Sequence, residues 1–316
     1  MPPGLPLRVA LDATPLLGNR TGIGRYVENL VAELAGFDGI RLSAAAFSLR
    51  GRAALSELPA GVRSVHRPVP ARLLHRCWLR GDLPAAEWLT GRAEIVHGTN
   101  FVLPSPRRAA GVVTVHDLAF LRFPELVDRA SLDYRSLVPR AVSRAARILV
   151  PTQAVADELS EAYPAAVGRL RVTPLGVDPG WFGVLPRPPA GLDAGYLLAV
   201  GTLEPRKGLD VLLQAYRLLL SAERELPPLV LVGPAGWGPE LDTAGIPPER
   251  LVLPGFVDSA SLRGLVAGAS MLVYPSRYEG FGLPPLEALA AGTPVVASDL
   301  APIREVAGEH LRLVPP

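Results

Sequence analysis

Short apolar runs recur along the chain, each bounded by glycine, proline or polar residues and most followed by a stretch with helical spacing. Leu7–Asp12 reads LRVALD and predicts a short buried strand. A Gly-containing loop, Asn19–Gly24, comes next, and Tyr26, Leu30 and Leu34 then repeat at helical spacing within 25–34. Strand, glycine loop and helix open a βαβ unit. The pattern returns with strands at Glu94–His97, Gly111–Val115 and Arg147–Val150, a helix over 131–146, and Thr152 placed to cap a helix running to Leu159. Strands follow at Tyr196–Val200, Leu229–Val232, Leu251–Leu253, Met271–Tyr274 and Pro294–Ala297, with helices over 208–220, 259–267 and 286–290.

Between Thr173 and Ala194 the composition changes: Pro174, Pro179, Pro186, Pro188 and Pro189 crowd together with several glycines. That segment reads as an interdomain linker. The α/β alternation on either side predicts two parallel-sheet domains facing each other across a cleft, residues 1–173 and 195–316, joined by 174–194. The run 306–316 reads as a strand entered from a loop with no closing helices after it, so the second domain is expected to lack its last elements.

Composition narrows the class. At 49% hydrophobic and 20% charged residues the chain is a folding chain rather than a disordered one, and 316 residues suit two cores better than one. A formal net charge of +2 argues against a general nucleic-acid binder. The single cysteine, Cys77, excludes an internal disulfide and a Cys-rich zinc site and fits a reducing cytosol. The N-terminus lacks a signal-peptide core, and no run reaches the ~18 apolar residues that cross a bilayer. A cytoplasmic protein, at most peripheral to the inner face of a membrane, is expected.

Four loops at strand ends carry candidate chemistry. The stretch 274–287, YPSRYEGFGLPPLE, runs from a strand through a glycine loop into a helix with prolines near its start. Ligands of open parallel sheets sit at the carboxyl ends of strands, and helix N-termini suit a pyrophosphate. Gly280 and Gly282 permit close approach, with Phe281 and Leu283 in the same loop. Glu279 and Glu287, about two helical turns apart, can accept from vicinal hydroxyls. A solvated Glu pair beside a turn is the bland alternative. The stretch 200–208, VGTLEPRKG, places Arg206 and Lys207, the chain's sole lysine, where they can neutralise a diphosphate. A charged surface loop is the alternative. His116 ends the strand Gly111–Val115 and can donate to a hydroxyl or act as an acid or base; His97 competes from an equivalent position. The loop Thr21–Gly24 offers Gly22 and Gly24 but not a full G-x-G-x-x-G, since Val27 stands at the third glycine's place. Arg63, His66, Arg67, Arg72, His75, Arg76 and Arg80 interleave with Leu73, Leu74, Trp78 and Leu79, which suits an anionic membrane or a solvated helix face equally. The histidine spacings match no common zinc motif.

Together these stretches resemble family 4 of the retaining glycosyltransferases, which have the GT-B fold of two Rossmann-like domains. The resemblance rests on TGIGRYVENL (21–30), VHDLAF (115–120), PTQAVADEL (151–159), PLGVD (174–178), VGTLEPRKGLD (200–210), PGFVD (254–258) and YPSRYEGFGLPPLEALAAGTPVVAS (274–298). It implies a metal-independent, cofactor-free transfer from a nucleotide-sugar donor to a glycan, lipid-linked or small-molecule acceptor. Glu279 would then contact the donor sugar, Glu287 the ribose hydroxyls, Arg206 and Lys207 the diphosphate, and His116 the sugar at the reaction centre. Phe256 and Val257 would line the base pocket; Gly22 and Gly24, grouped with the donor-binding residues, read as a phosphate or acceptor loop, with a plain turn as the alternative. The leaving phosphate would help deprotonate the acceptor. Many members carry Gly-Arg after the strand where this chain has Gly201-Thr202; Arg206 would fill that role, as in a GTLEPRK subgroup similar to mannosyl- and rhamnosyltransferases. A hexose from a GDP-mannose-type donor is therefore the expected cargo. The alternatives are a truncated donor-binding remnant without transfer, or a nucleotide-sugar epimerase of the same architecture. As loop residues, Glu279 and Lys207 are expected to matter far more to turnover than to stability.

Overall fold

Thirteen strands among the described residues form two wholly parallel sheets. The structure is a computed structural model, and it describes residues 5–18, 22–50, 55–222 and 226–316. In the first unit the strands are β1 (Leu7–Asp12), β2 (Ile40–Phe47), β3 (Arg63–Arg67), β4 (Ile95–Gly98), β5 (Ala110–Thr114), β6 (Arg147–Val150) and β7 (Leu170–Val172), in the order β3-β2-β1-β4-β5-β6-β7. The second holds β8 (Tyr196–Val200), β9 (Leu229–Val232), β10 (Leu251–Gly255), β11 (Ala269–Tyr274), β12 (Val295–Ser298) and β13 (Arg312–Val314), ordered β10-β9-β8-β11-β12-β13. Both are Rossmann-like. Strand order reverses between β1 and β4 in one sheet and between β8 and β11 in the other, and such switch points open a crevice beyond the strand ends.

Sequence composition accounts for these elements. Strands of a parallel sheet are covered on both faces, so the inner ones read as apolar runs; all four residues of β9 (LVLV) are buried. Helix Gly22–Ala35 buries Gly24, Val27 and Val31, three and four residues apart, against β1 and β2. Three strands escape the sequence reading. β2 is IRLSAAAF, whose alanines carry no β preference; β3 (RSVHR) is an edge strand with only Val65 buried; β7 is an edge of three residues. A helix, Ala301–Ala307, to which the sequence reading assigned no element, precedes β13.

By its contacts the chain divides at Thr173/Pro174, but two earlier segments, 119–132 and 152–154, belong with the second unit. The proline-rich stretch 174–194 also packs there. Trp181 is part of that unit's core with Leu198, Leu265 and Leu272, and the Arg187 N–H donates to the Gly264 carbonyl at 2.8 Å. Segment 152–154 is tied by Glu305, whose carboxylate accepts from the Gln153 and Ala154 N–H groups at 2.7 and 3.0 Å. Among the described residues no helix is long and apolar enough to cross a membrane.

Candidate functional site

The turns after β8 and β11 converge at the switch point of the second sheet. Gly208 makes the convergence possible: its φ is +63°, and a Cβ there would lie 2.1 Å from the Pro275 carbonyl oxygen. Gly233 is as tightly placed, with φ +153° and a Cβ that would fall 1.9 Å from the Gly201 oxygen. The Arg277 N–H donates to the Arg206 carbonyl at 2.8 Å, and the Arg277 guanidinium reaches the Pro205 carbonyl and Asp210, fastening one turn to the other.

The charges expected from sequence meet in this place. Lys207 Nζ lies 2.6 Å from Glu279 Oε1, and Arg206 Nη1 lies 3.2 Å from Glu279 Oε2. Arg206 also donates to the Tyr278 carbonyl and pairs with Glu204 at 2.6 Å, in a direction off the axis of a hydrogen bond. Lys207 Nζ donates to Tyr274 Oη at 3.0 Å and stands 5.1 Å from that ring's centroid. All these side chains are largely shielded from solvent. Burial alone would push the Glu279 carboxyl up; the charges of Lys207 and Arg206 and the hydrogen bonds outweigh it and hold the group at about 2. Glu204 goes the other way, since burial raises it more than Arg206 and Lys207 lower it. Burial depresses Lys207 and lifts Tyr274 well above an ordinary phenol.

The glycine loop continues from Glu279. Thr152 Oγ1 donates to the Gly280 carbonyl at 3.0 Å, Phe281 is buried, and Gly282, at φ +102°, caps helix Leu283–Ala290. Glu287 lies within that helix at 5% exposure. Phe123, from segment 119–132, packs 5.2 Å from the Tyr278 ring. Gly201, Leu203, Lys207, Tyr274, Pro275 and Ser276 line a pocket at these strand ends. Phe256 and Val257 follow β10, two strands away from β8; Phe256 is exposed and Val257 half-buried. Two members of this site, Glu204 and Thr152, were not expected to belong to it. Glu204 was visible inside its motif, whereas Thr152 lies 128 residues from the carbonyl it holds and carries no local signal.

In the first unit, β4 and β5 bring His97 and His116 together. His116 Nε2 lies 2.8 Å from the Thr99 carbonyl, an atom that only accepts, so Nε2 carries the hydrogen. In the neutral ring Nδ1 then holds the lone pair and can accept from a hydroxyl, which is the base alternative of the expectation rather than donation. Tyr26 and Phe101 pack edge-on against the ring, at 5.0 and 5.5 Å. His97 Nε2 bonds Thr114 Oγ1 at 2.8 Å, and Tyr26 Oη meets the same hydroxyl at 3.0 Å. Burial depresses both imidazoles and holds His97 at about 4, with the neighbouring His116 adding to it. The turn between them is tight: a Cβ on Gly98 would lie 1.9 Å from the Val102 oxygen, and Phe101 has φ +60°, a conformation costly for a bulky residue. Gly22 opens its helix with nothing within 4 Å of an added Cβ, and Gly24, two residues on, is buried. Asn19, Arg20 and Thr21 lie outside the described residues.

The basic stretch Arg63–Arg80 splits in two. Arg63 and Arg67 on β3 donate to the Thr90 and Leu89 carbonyls. Helix Ala71–Arg80 buries Leu74 and Trp78 and leaves Arg72, Arg76 and Arg80 exposed. Among the described residues no group of three or more His, Cys, Asp or Glu is placed to hold a metal.

Two family models match the chain, one on either side of residues 182–193. A family model described as Glycosyltransferase Family 4 matches residues 20–181, and one described as Glycosyl transferases group 1 matches residues 194–316. The O-antigen chain mannosyltransferase B of Escherichia coli is 34% identical over 230 residues, 68% of this chain and 59% of that protein. The D-inositol 3-phosphate glycosyltransferase of Actinosynnema mirum is 32% identical over 67% of this chain and 54% of its own length. The chain thus spans little more than half the length of these curated relatives. Sucrose-phosphate synthase from Thermosynechococcus elongatus shares the fold with a TM-score of 0.71 at 19% identity, over 98% of this chain and 86% of that one.

Proposed function

The chain belongs to Glycosyltransferase Family 4, and from that premise we propose that it is a retaining glycosyltransferase moving a hexose, mannose first among candidates, from a nucleotide sugar to a glycan, lipid-linked or small-molecule acceptor. The observation that carries this reading is the shielded cluster of Arg206, Lys207 and Glu279 at the ends of β8 and β11. Two cations at a switch point suit a diphosphate, both in the bound donor and as leaving-group charge develops. Glu279, held ionised beside them, suits the hydroxyls of the donor sugar, and Glu287, one helix further, suits those of the ribose. His116, with its lone pair on Nδ1, suits a sugar hydroxyl hydrogen. Phe256 and Val257 are assigned to the base, and Gly280 to Leu283, with Gly22 and Gly24, to the donor's backbone contacts.

Mannose, and with it a GDP-type donor, is supported by the similarity to an O-antigen mannosyltransferase. The family match does not favour the epimerase alternative. With the diphosphate charge met by Arg206 and Lys207, transfer is expected to run without a divalent metal. The exposed arginines of helix Ala71–Arg80, beside the exposed Leu73 and Leu79, suit peripheral contact with anionic lipid at the inner face of a membrane.

The test is a panel of labelled nucleotide sugars incubated in EDTA, with and without a lipid-linked acceptor fraction. Release of nucleoside diphosphate that needs acceptor, survives EDTA and is fastest from GDP-mannose is expected, with a product that keeps the donor's anomeric configuration by NMR. Strict dependence on a divalent ion, or an inverted product, would overturn the reading.

A further inference from the structure

Charge balance around Arg206 has a consequence for how a diphosphate binds. The cluster holds two cations, Arg206 and Lys207, and two carboxylates, Glu204 and Glu279, and is neutral as it stands. A nucleoside diphosphate brings at least two further negative charges to the same cations. Unscreened like charges in a low-dielectric site repel strongly, so a second change must accompany binding. Either one carboxylate takes up a proton, or one leaves the cations.

The two carboxylates are unequal candidates. Glu279 is held by both cations, and its bond to Lys207 is short and well directed. Glu204 forms an ion pair with Arg206 alone, Lys207 acting on it only through its charge; the side chain is 3% exposed, and its Oε1, although 2.6 Å from the guanidinium, lacks a directed hydrogen bond. Glu204 also stands next to Pro205, in a turn fixed by the Lys207 N–H donating to its own carbonyl at 3.0 Å, so it has little freedom to swing away. The other charges in these turns, Arg277 and Asp210, compensate each other at 2.6 Å nearer the surface. Tyr274, from β11, meets the cluster through its hydroxyl on Lys207.

Resting on the proposed diphosphate role of Arg206 and Lys207, we propose that Glu204 is the proton acceptor that couples nucleoside diphosphate binding to proton uptake. A solvent proton adds to one oxygen of the Glu204 carboxylate as the diphosphate meets Arg206, and it is returned to solvent on release. Glu204 touches no substrate; it is a positioning and charge-compensating residue. Burial already raises its proton affinity in the free protein, and an added anion raises it further. Affinity for the diphosphate then falls as pH rises through the window between the two values, by up to about tenfold per pH unit for one proton.

The measurement is calorimetric titration with GDP, UDP, ADP and TDP near neutral pH in buffers of different ionisation enthalpy, on wild type and Glu204→Gln. Wild type is expected to take up about one proton more per bound ligand than the variant, the comparison cancelling the ligand's own phosphate titration. Glu204→Gln, a mimic of the protonated acid, is expected to bind more tightly than wild type at alkaline pH, about tenfold or more, and to lose the pH slope. Equal proton uptake by two folded proteins that both bind would overturn the coupling and leave the diphosphate site standing. If the variant does not fold, the wild-type affinity decides alone: no decline with rising pH overturns the coupling. Failure of wild type to bind any of the four diphosphates would overturn both proposals.

Discussion

Lys207→Ala is expected to lower kcat/KM for donor turnover by about 100- to 1,000-fold, the loss usual when one preorganised donor to developing charge is removed. It should also cost stability. Lys207 is largely shielded and 2.6 Å from Glu279, and deleting one partner of a buried pair leaves an uncompensated charge, at about 3–5 kcal/mol. Arg206 remains on the other Glu279 oxygen, which puts the expected cost at the lower end of that range. Loop position alone suggested that turnover would fall and stability hold; burial of the pair overrides that, and both readouts should move. Lys207→Met, which keeps the stem's apolar packing, separates them when melting and kinetics are measured on the same samples. A folded Lys207→Met protein with near wild-type kcat/KM would show that the ammonium is structural.

The second large effect is acid loss of stability in the first unit, beginning near pH 6.5. His97 is 5% exposed and holds its value at about 4, against an ordinary 6.5. Between those values the unfolded chain binds a proton that the folded one refuses, so stability is complete above pH 6.5 and is lost as pH falls toward 4. A shift of that size corresponds to about 3 kcal/mol. In the second unit Glu279 has a depressed value, so its contribution is present above about pH 4.5 and lost only as pH falls toward 2. Amide exchange should therefore show β4 and β5 losing protection in a pH range where β8 and β11 keep theirs. His97→Gln stays neutral, can still meet the Thr114 hydroxyl, and should remove most of the early loss, His116 and His75, both depressed by burial, supplying the rest. Protection of β4 and β5 that is flat from pH 7 to 4.5, or an unchanged slope in His97→Gln, would assign the effect elsewhere.

What could be read from the chain follows from what each element needs. Strands covered on both faces announce themselves as apolar runs, and β1, β6, β8 and β9 match their expected ranges residue for residue. β2 and β3 hide because alanines and edge polarity carry no such signature. Arg206, Lys207 and Glu279 were found by motif and do meet, because both loops leave adjacent strands at one switch point. Their mutual ion pairing was not legible: it depends on Gly208 bringing backbone turns 67 residues apart into contact. The same holds for Thr152 on Gly280 and Glu305 on the 153–154 amides, where no local pattern encodes the partner.

The most direct test of the assignment of Arg206 and Lys207 to a diphosphate is an equilibrium one. Binding of GDP-mannose, GDP and guanosine is measured in EDTA by calorimetry on wild type and Lys207→Met. Wild type is expected to bind the two diphosphates at least about 100-fold more tightly than guanosine, as two charge-assisted contacts warrant, and the variant is expected to lose most of that difference. Equal affinity of wild type for guanosine and GDP, or a difference that Lys207→Met leaves intact, would contradict it.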